Sequence, residues 1–104
     1  MAARPDLRDK KDRGYYGKTP LMQAAIDGDP EVVELLADGG AQLDLQDCDG
    51  CTALWHAADY NRLAVVRLLV GRGADQTVTD MGGMMTPREV AVEQGHTECA
   101  ALLW

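Results

Sequence analysis

A self-similar period narrows what this chain can fold into more than any other feature. Thr19, Thr52 and Thr86 stand 33 and 34 residues apart, and the positions around them repeat with them. Ala24, Ala57 and Ala91 each follow the threonine by five residues; Leu35-Leu36, Leu68-Leu69 and Leu102-Leu103 follow it by sixteen and seventeen. A period of this length marks a unit that cannot bury its own apolar surface and does so by stacking on its copies.

Each copy reads as two short antiparallel helices and a turn. Thr19-Pro20 and Thr86-Pro87 put a hydroxyl at an N-cap and a proline at the first helical position, where the missing N–H costs nothing. Thr86 through Glu89 also spells a capping box. Gly28, Asn61 and Gly95 tolerate the left-handed conformation that ends a helix. A second helix is expected from near Asp29-Pro30, Asn61 to Leu63, and His96-Thr97. Its stripe, Val32, Val33, Leu35 and Leu36 or Val65, Val66, Leu68 and Leu69, has helical spacing. Gly40 and Gly73 close it. The segments "AQLDLQDCDG" and "ADQTVTDMGG" alternate and then turn, which predicts projecting β-hairpins.

The pattern D-x-x-G-x-T-P-L through A-A, G-H-x-E, V-V-x-x-L-L and G-A-D resembles the ankyrin repeat. It covers residues 17 to 104 in three copies, and "ARPDLRD" (3 to 9) aligns with "AQLDLQD" and "ADQTVTD" as a fragment of a fourth. The resemblance implies an all-α solenoid of stacked helix-turn-helix units with projecting hairpin loops. The expected division is one domain over 1–104, with a lead segment and insertion at 1–16 and repeats at 17–49, 50–82 and a truncated 83–104.

Several positions depart from the family pattern. Gly14 stands where the turn aspartate is usual, Met22 and Trp55 replace a histidine, Arg88 replaces a core leucine, and "MGGMM" adds one residue. The closing "ALLW" lacks the polar outer face that terminal repeats need. A segment of a longer protein is expected, or an array whose ends are covered by a partner, end-to-end self-association included.

The resemblance further implies non-catalytic protein binding on a concave face of loop tips and first helices. Residues at those positions are Tyr15, Tyr16, Lys18, Ile26 and Asp27, then Asp49, Cys51, Asp59 and Tyr60 with Cys48, then Met84, Met85 and Glu93 with Met81 and Gln94. Trp55 is a further candidate, either at the interface or wedged between repeats. Aromatic and methionine side chains are the types enriched in hot spots and adaptable interfaces. Tyr15 and Tyr16 lie in the inserted fingertip, where nothing obvious would bury them.

Charge bears on the partner. Residues 1–18 carry six basic and three acidic residues, and residues 19–104 carry four basic and fourteen acidic, a net charge of −10. Such a body repels phosphate backbones, so no nucleic acid is expected, and a basic or apolar protein surface fits better. No apolar run approaches the ~20 residues that cross a bilayer, so no membrane association is expected. The start has no secretory apolar core, and three cysteines do not make a disulfide framework, which predicts a cytoplasmic or nuclear chain with reduced thiols.

The string "DCDGCTALWHAAD" carries the alternative. Cys48 and Cys51 form a C-x-x-C with His56 nearby, the material of a small thiol- or metal-binding protein. Tetrahedral zinc usually draws four ligands from converging pairs, and one pair is present. Asp47 and Asp49 would raise the pKa of a redox thiol at Cys51. A Cys51–His56–Asp59 nucleophilic site lacks a cavity and an oxyanion donor. His56 is expected to hydrogen-bond an adjacent repeat's backbone instead. No enzyme, cofactor or resident metal is expected.

Overall fold

Each repeated threonine begins a helix. The computed structural model describes residues 17–103. Thr19, Thr52 and Thr86 have extended backbones, and each Oγ1 accepts the N–H three residues on, from Met22, Trp55 and Glu89, at 3.2 Å. Glu89 returns the bond by accepting the Thr86 N–H at 2.9 Å, and in the first copy the Met22 sulfur takes that place at 3.4 Å. Six helices follow: α1 (Pro20–Asp27), α2 (Pro30–Asp38), α3 (Ala53–Asp59), α4 (Leu63–Gly71), α5 (Pro87–Glu93) and α6 (Thr97–Leu102). Gly28, Asn61 and Gly95 all have positive φ (76°, 58° and 78°), so the first helices stop where left-handed residues were expected.

The helices form two rows. α1 packs on α3 and α3 on α5; α2 packs on α4 and α4 on α6, and each first helix packs on its own second helix. Between the rows lie Leu21, Leu54, Val33, Val65, Val66 and Leu69, with Ala25, Ala57, Ala58 and Ala91 where helices approach closely. The helix-start residues Arg62 and His96 make no local side-chain cap. They tie their helices to the preceding repeat instead. Arg62 Nε donates to the Ile26 carbonyl at 2.8 Å, and His96 Nδ1 lies 3.0 Å from the Ala58 carbonyl.

The connections differ from the expected hairpins. Among the described residues no segment forms a strand. Each projecting loop closes by a backbone bond, Asp47 N–H to the Cys51 carbonyl at 3.0 Å and Asp80 N–H to the Met85 carbonyl at 3.2 Å, around a turn in which the Gly50 N–H donates to the Asp47 carbonyl and the Gly83 N–H to the Asp80 carbonyl. Aspartate carboxylates then take the N–H groups that a ladder would use. Asp47 Oδ1 accepts from Asp49 and Cys51, and Asp80 Oδ1 from Met84 and Met85. Side-chain capping of this kind competes with sheet pairing, so the alternation produces a folded tip. The extra residue of "MGGMM" is absorbed by Gly82 and Gly83, both at positive φ.

The apolar pattern also overreaches at the ends of the stack. Val32 is 40% exposed and Leu35 71%, whereas their counterparts Val65 and Leu68 are buried and half-buried. α4 has a helix on either side in its row; α2 has one described neighbour. At the other end Arg88 and Val92 are exposed where Leu21 and Leu54, Ala25 and Ala58 are buried. Arg88 thus replaces a core leucine at a position with no described repeat to cover it. Among the described residues no helix is long and apolar enough to cross a membrane.

Candidate functional site

The loop tips and α3 together build a groove of about 420 Å³. α3 presents Trp55 and His56 near its capped start and Asp59 and Tyr60 at its end along one side. The loop tips supply Asp49, Cys51, Asp80 and Met81, and Lys18 stands at the first repeat's edge. The two tips are fixed to each other, because the Met81 N–H donates to the Asp49 carbonyl at 2.6 Å. Gly50 makes this approach possible: at φ +79°, a Cβ there would lie 2.7 Å from the Met81 nitrogen.

Trp55 is half-buried. Its indole N–H donates to the Met85 carbonyl at 3.0 Å, and its ring meets the His56 ring edge-on with centroids 5.8 Å apart. It therefore pins the second repeat to the third while showing one face to the groove. Tyr60 is 48% exposed and Asp59 is partly exposed, accepting a bond from Gln94 at 3.0 Å.

Beneath the groove lies a buried polar node. Asp47 uses Oδ1 on its own loop and Oδ2 on two cations or cation-forming groups, His56 Nε2 at 2.7 Å and Lys18 Nζ at 3.4 Å. Burial alone would raise the Asp47 carboxyl, but the bonds from His56 and from the Cys51 and Asp49 N–H groups, with the His56 charge, hold it below its usual value. His56 therefore bonds a side chain of the preceding loop, and not the repeat backbone expected of it. His96 is the histidine that does bond a neighbouring backbone.

Cys51 is 3% exposed. Burial first, then the carboxylates of Asp47, Asp80 and Asp49, pushes its thiol up to about 12. Cys51 lines the groove with its side chain almost wholly buried, so little of it is exposed for a partner to touch. Such a thiol is a poor nucleophile at neutral pH. His56 pairs with Asp47 and Asp59 with Gln94, so the Cys51–His56–Asp59 arrangement is not assembled. Cys48 is exposed, so the two cysteines of the C-x-x-C sit in different environments.

The groove collects Lys18, Asp49, Cys51, Trp55, Asp59, Tyr60 and Met81 from the sequence candidates, and Met85 adjoins it through its bond to Trp55. Ile26 and Asp27 lie at the end of α1, and Met84 (71% exposed) and Glu93 are on the surface outside it. Tyr15 and Tyr16 lie outside the described residues. Asp80 and Asp47 were not among the candidates. Both are turn aspartates, and the signal for Asp47 was a histidine nine residues on, one turn inside the next helix.

A model of the family described as ankyrin repeats in three copies matches residues 2–80. The chain belongs to the ankyrin repeat family. The array is 36% identical over 88 residues to SH3 and multiple ankyrin repeat domains protein 2 of Homo sapiens, covering 84% of this chain and 5% of that protein. It is 31% identical over 103 residues to Inversin of Gallus gallus, covering 99% and 9%. It is 40% identical over 92 residues to ankyrin repeat, SAM and basic leucine zipper domain-containing protein 1 of Chlorocebus aethiops, covering 83% and 19%. The chain thus spans less than a fifth of each of these relatives. Ankyrin repeats are generally protein–protein interaction modules, and family members are typically non-catalytic.

Proposed function

We propose that this ankyrin array is a non-catalytic binding segment of a longer protein, and that its groove receives a basic stretch of a partner protein. The observation that carries the reading is the lining of the groove. Asp49, Asp59 and Asp80 stand beside Tyr60, Trp55 and Met81, with Lys18 the one basic residue. A lysine or arginine entering it meets carboxylates at its head and aromatic surface along its stem. Ile26, Asp27, Met84, Met85 and Glu93 extend the same surface in this reading, and Tyr15 and Tyr16, outside the described residues, stay with them as sequence candidates for partner contact.

The net charge of −10 over residues 19–104 favours such a partner and disfavours nucleic acid. A cytoplasmic or nuclear setting suits the buried reduced thiols. The repeat division is 17–49, 50–82 and 83–104 with the lead at 1–16, and the exposed Val32 and Leu35 suit contact with a further repeat or the end of a second copy. The test is selection from a random peptide library by the immobilised chain. Basic residues should be enriched in the peptides retained. Asp59→Asn and Tyr60→Ala should weaken their binding while thermal stability stays near wild type. Enrichment of acidic peptides, or binding indifferent to both substitutions, would overturn the reading.

A further inference from the structure

Asp47, Cys51 and His56 bring a carboxylate oxygen, a sulfur and an imidazole nitrogen within 4.8 Å of one another. All three residues are buried, at 7%, 3% and 6% exposure. We propose that these three side chains bind one divalent transition cation of the zinc type, leaving a fourth coordination position open toward the groove.

The repeat frame does not require this donor set. At the offset of Cys51 the other copies carry Lys18 and Met85, and at the offset of His56 they carry Gln23 and Val90. The loop itself uses only Oδ1 of Asp47, whose partners are backbone N–H groups. Sγ and the imidazole stand at these offsets in the second copy alone, and they converge with the Oδ2 of the preceding loop's Asp47.

The His56 ring presents Nε2 to Asp47 Oδ2 at 2.7 Å, so Nε2 is the donor that faces the cation, while Nδ1, on the other side of the ring, is buried without a hydrogen-bond partner and keeps the ring proton. The electrostatics agree, because Asp49 and Asp80 add negative potential at the sulfur beyond that of Asp47. Lys18, 3.4 Å from Asp47 Oδ2, is a single charge on a flexible stem, which a divalent ion displaces.

Zinc accepts mixed sulfur, nitrogen and oxygen ligands in a tetrahedron, with bonds of about 2.0–2.3 Å and ligand atoms therefore roughly 3.3–3.8 Å apart. The 2.7 Å contact between Asp47 and His56 opens by about 0.6 Å, and the wider separations, all within 4.8 Å, close by at most about 1 Å. As the metal–sulfur bond forms, the Cys51 proton leaves to solvent; His56 binds as the neutral ring and Asp47 as the carboxylate. Cys51 and His56 also line the groove, so water or a donor atom of a partner fills the fourth position. Three protein ligands with one open position is the pattern of an exchangeable rather than a closed site. Cys48 is exposed and takes no part.

The test uses the full 104-residue chain, reduced and stripped of metal. Zinc titration against a chromophoric chelator should give one tight site per chain and raise the thermal midpoint. Cobalt should give tetrahedral d–d bands with a sulfur-to-metal charge-transfer band. Cys51→Ala should abolish that band and weaken zinc at least about 100-fold, a loss as large as the upper end seen for outer-shell changes. Cys48→Ala should leave both unchanged. Absence of the charge-transfer band in the wild-type chain refutes the site whether or not any variant folds. So does tight binding that survives Cys51→Ala or is lost with Cys48→Ala.

Discussion

Replacing Leu69 by alanine tests the stacking most directly. Leu69 is completely buried in α4, among the side chains that join the two helical rows. Alanine removes three carbons. At ~0.8 kcal/mol per buried methylene-sized group the transfer loss is about 2.4 kcal/mol. The unfilled space adds to it, so the total should be about 3–4 kcal/mol, inside the roughly 2–5 kcal/mol span of such truncations. Domains of this size are stable by only about 5–15 kcal/mol, so the loss is a large part of the whole. The thermal midpoint should fall by at least about 12 °C at roughly 4 °C per kcal/mol. Urea unfolding followed by both far-UV circular dichroism and tryptophan fluorescence reads the change, and coincident transitions would show that the array unfolds as one unit. Leu35→Ala is the control, because a side chain 71% exposed should matter by less than about 0.5 kcal/mol. A loss below about 1 kcal/mol at Leu69 with an unchanged slope, or equal losses at both positions, would refute the packing described for α2 and α4.

Three further outcomes are expected. Gly50→Ala should cost clearly more than Gly73→Ala in urea midpoints: both have positive φ, but the Gly50 methyl would strike the Met81 backbone at 2.7 Å while the Gly73 methyl meets nothing within 4 Å. Native protein treated with iodoacetamide near pH 8 should be alkylated at Cys48 alone, with Cys51 and Cys99 reacting only after unfolding, because burial shields both and raises both thiols; peptide mass spectrometry gives the assignment. The Asp47 carboxyl is held below its ordinary value in the folded chain, so its stabilising contribution is complete above the unfolded value of about 3.9 and is lost as pH falls through the lower folded value. Carbon NMR of the Asp47 carboxyl and urea midpoints between pH 3 and 7 should show this order, and a carboxyl titrating above about 3.9 would refute it.

The helices were legible because their signals are local. A threonine, followed in two of the three copies by proline, and a glycine or asparagine nine residues after it fix where each first helix starts and stops, with no help from the rest of the chain. The second-helix stripe was legible only in part. Leu68 and Leu69, or Val32 and Val33, look alike in a periodic pattern, yet Leu69 and Val33 are sealed while Leu68 is half-buried and Val32 is open. That difference depends on which neighbour is present, and spacing carries no information about neighbours. The loops misled because alternation was given the meaning of strands, whereas Asp47 and Asp80 capture the backbone donors first.

The candidate site divides along the same line. Asp49, Trp55, Asp59 and Tyr60 were reachable from the repeat register, which says which positions face the groove. The partner of His56 was not. Asp47 meets His56 only because the loop folds back over the start of α3, a contact set by the turn and the cap together. The burial of Cys51 was not legible either: its position in the register is variable, but its side chain lines the groove at only 3% exposure.

The ties between repeats have a mechanical consequence. Trp55 to Met85, His96 to Ala58 and the Cys99 thiol to Asn61 Oδ1 at 3.3 Å all bridge the second and third units, while Arg62 to Ile26 and the Asp75 N–H to Asp44 Oδ1 bridge the first and second. These junctions lie one after another along the chain, so a pull on its ends is carried in full by each in turn. The array behaves as a chain of latches in series, and its resistance to stretching is that of its weakest latch rather than of the sum.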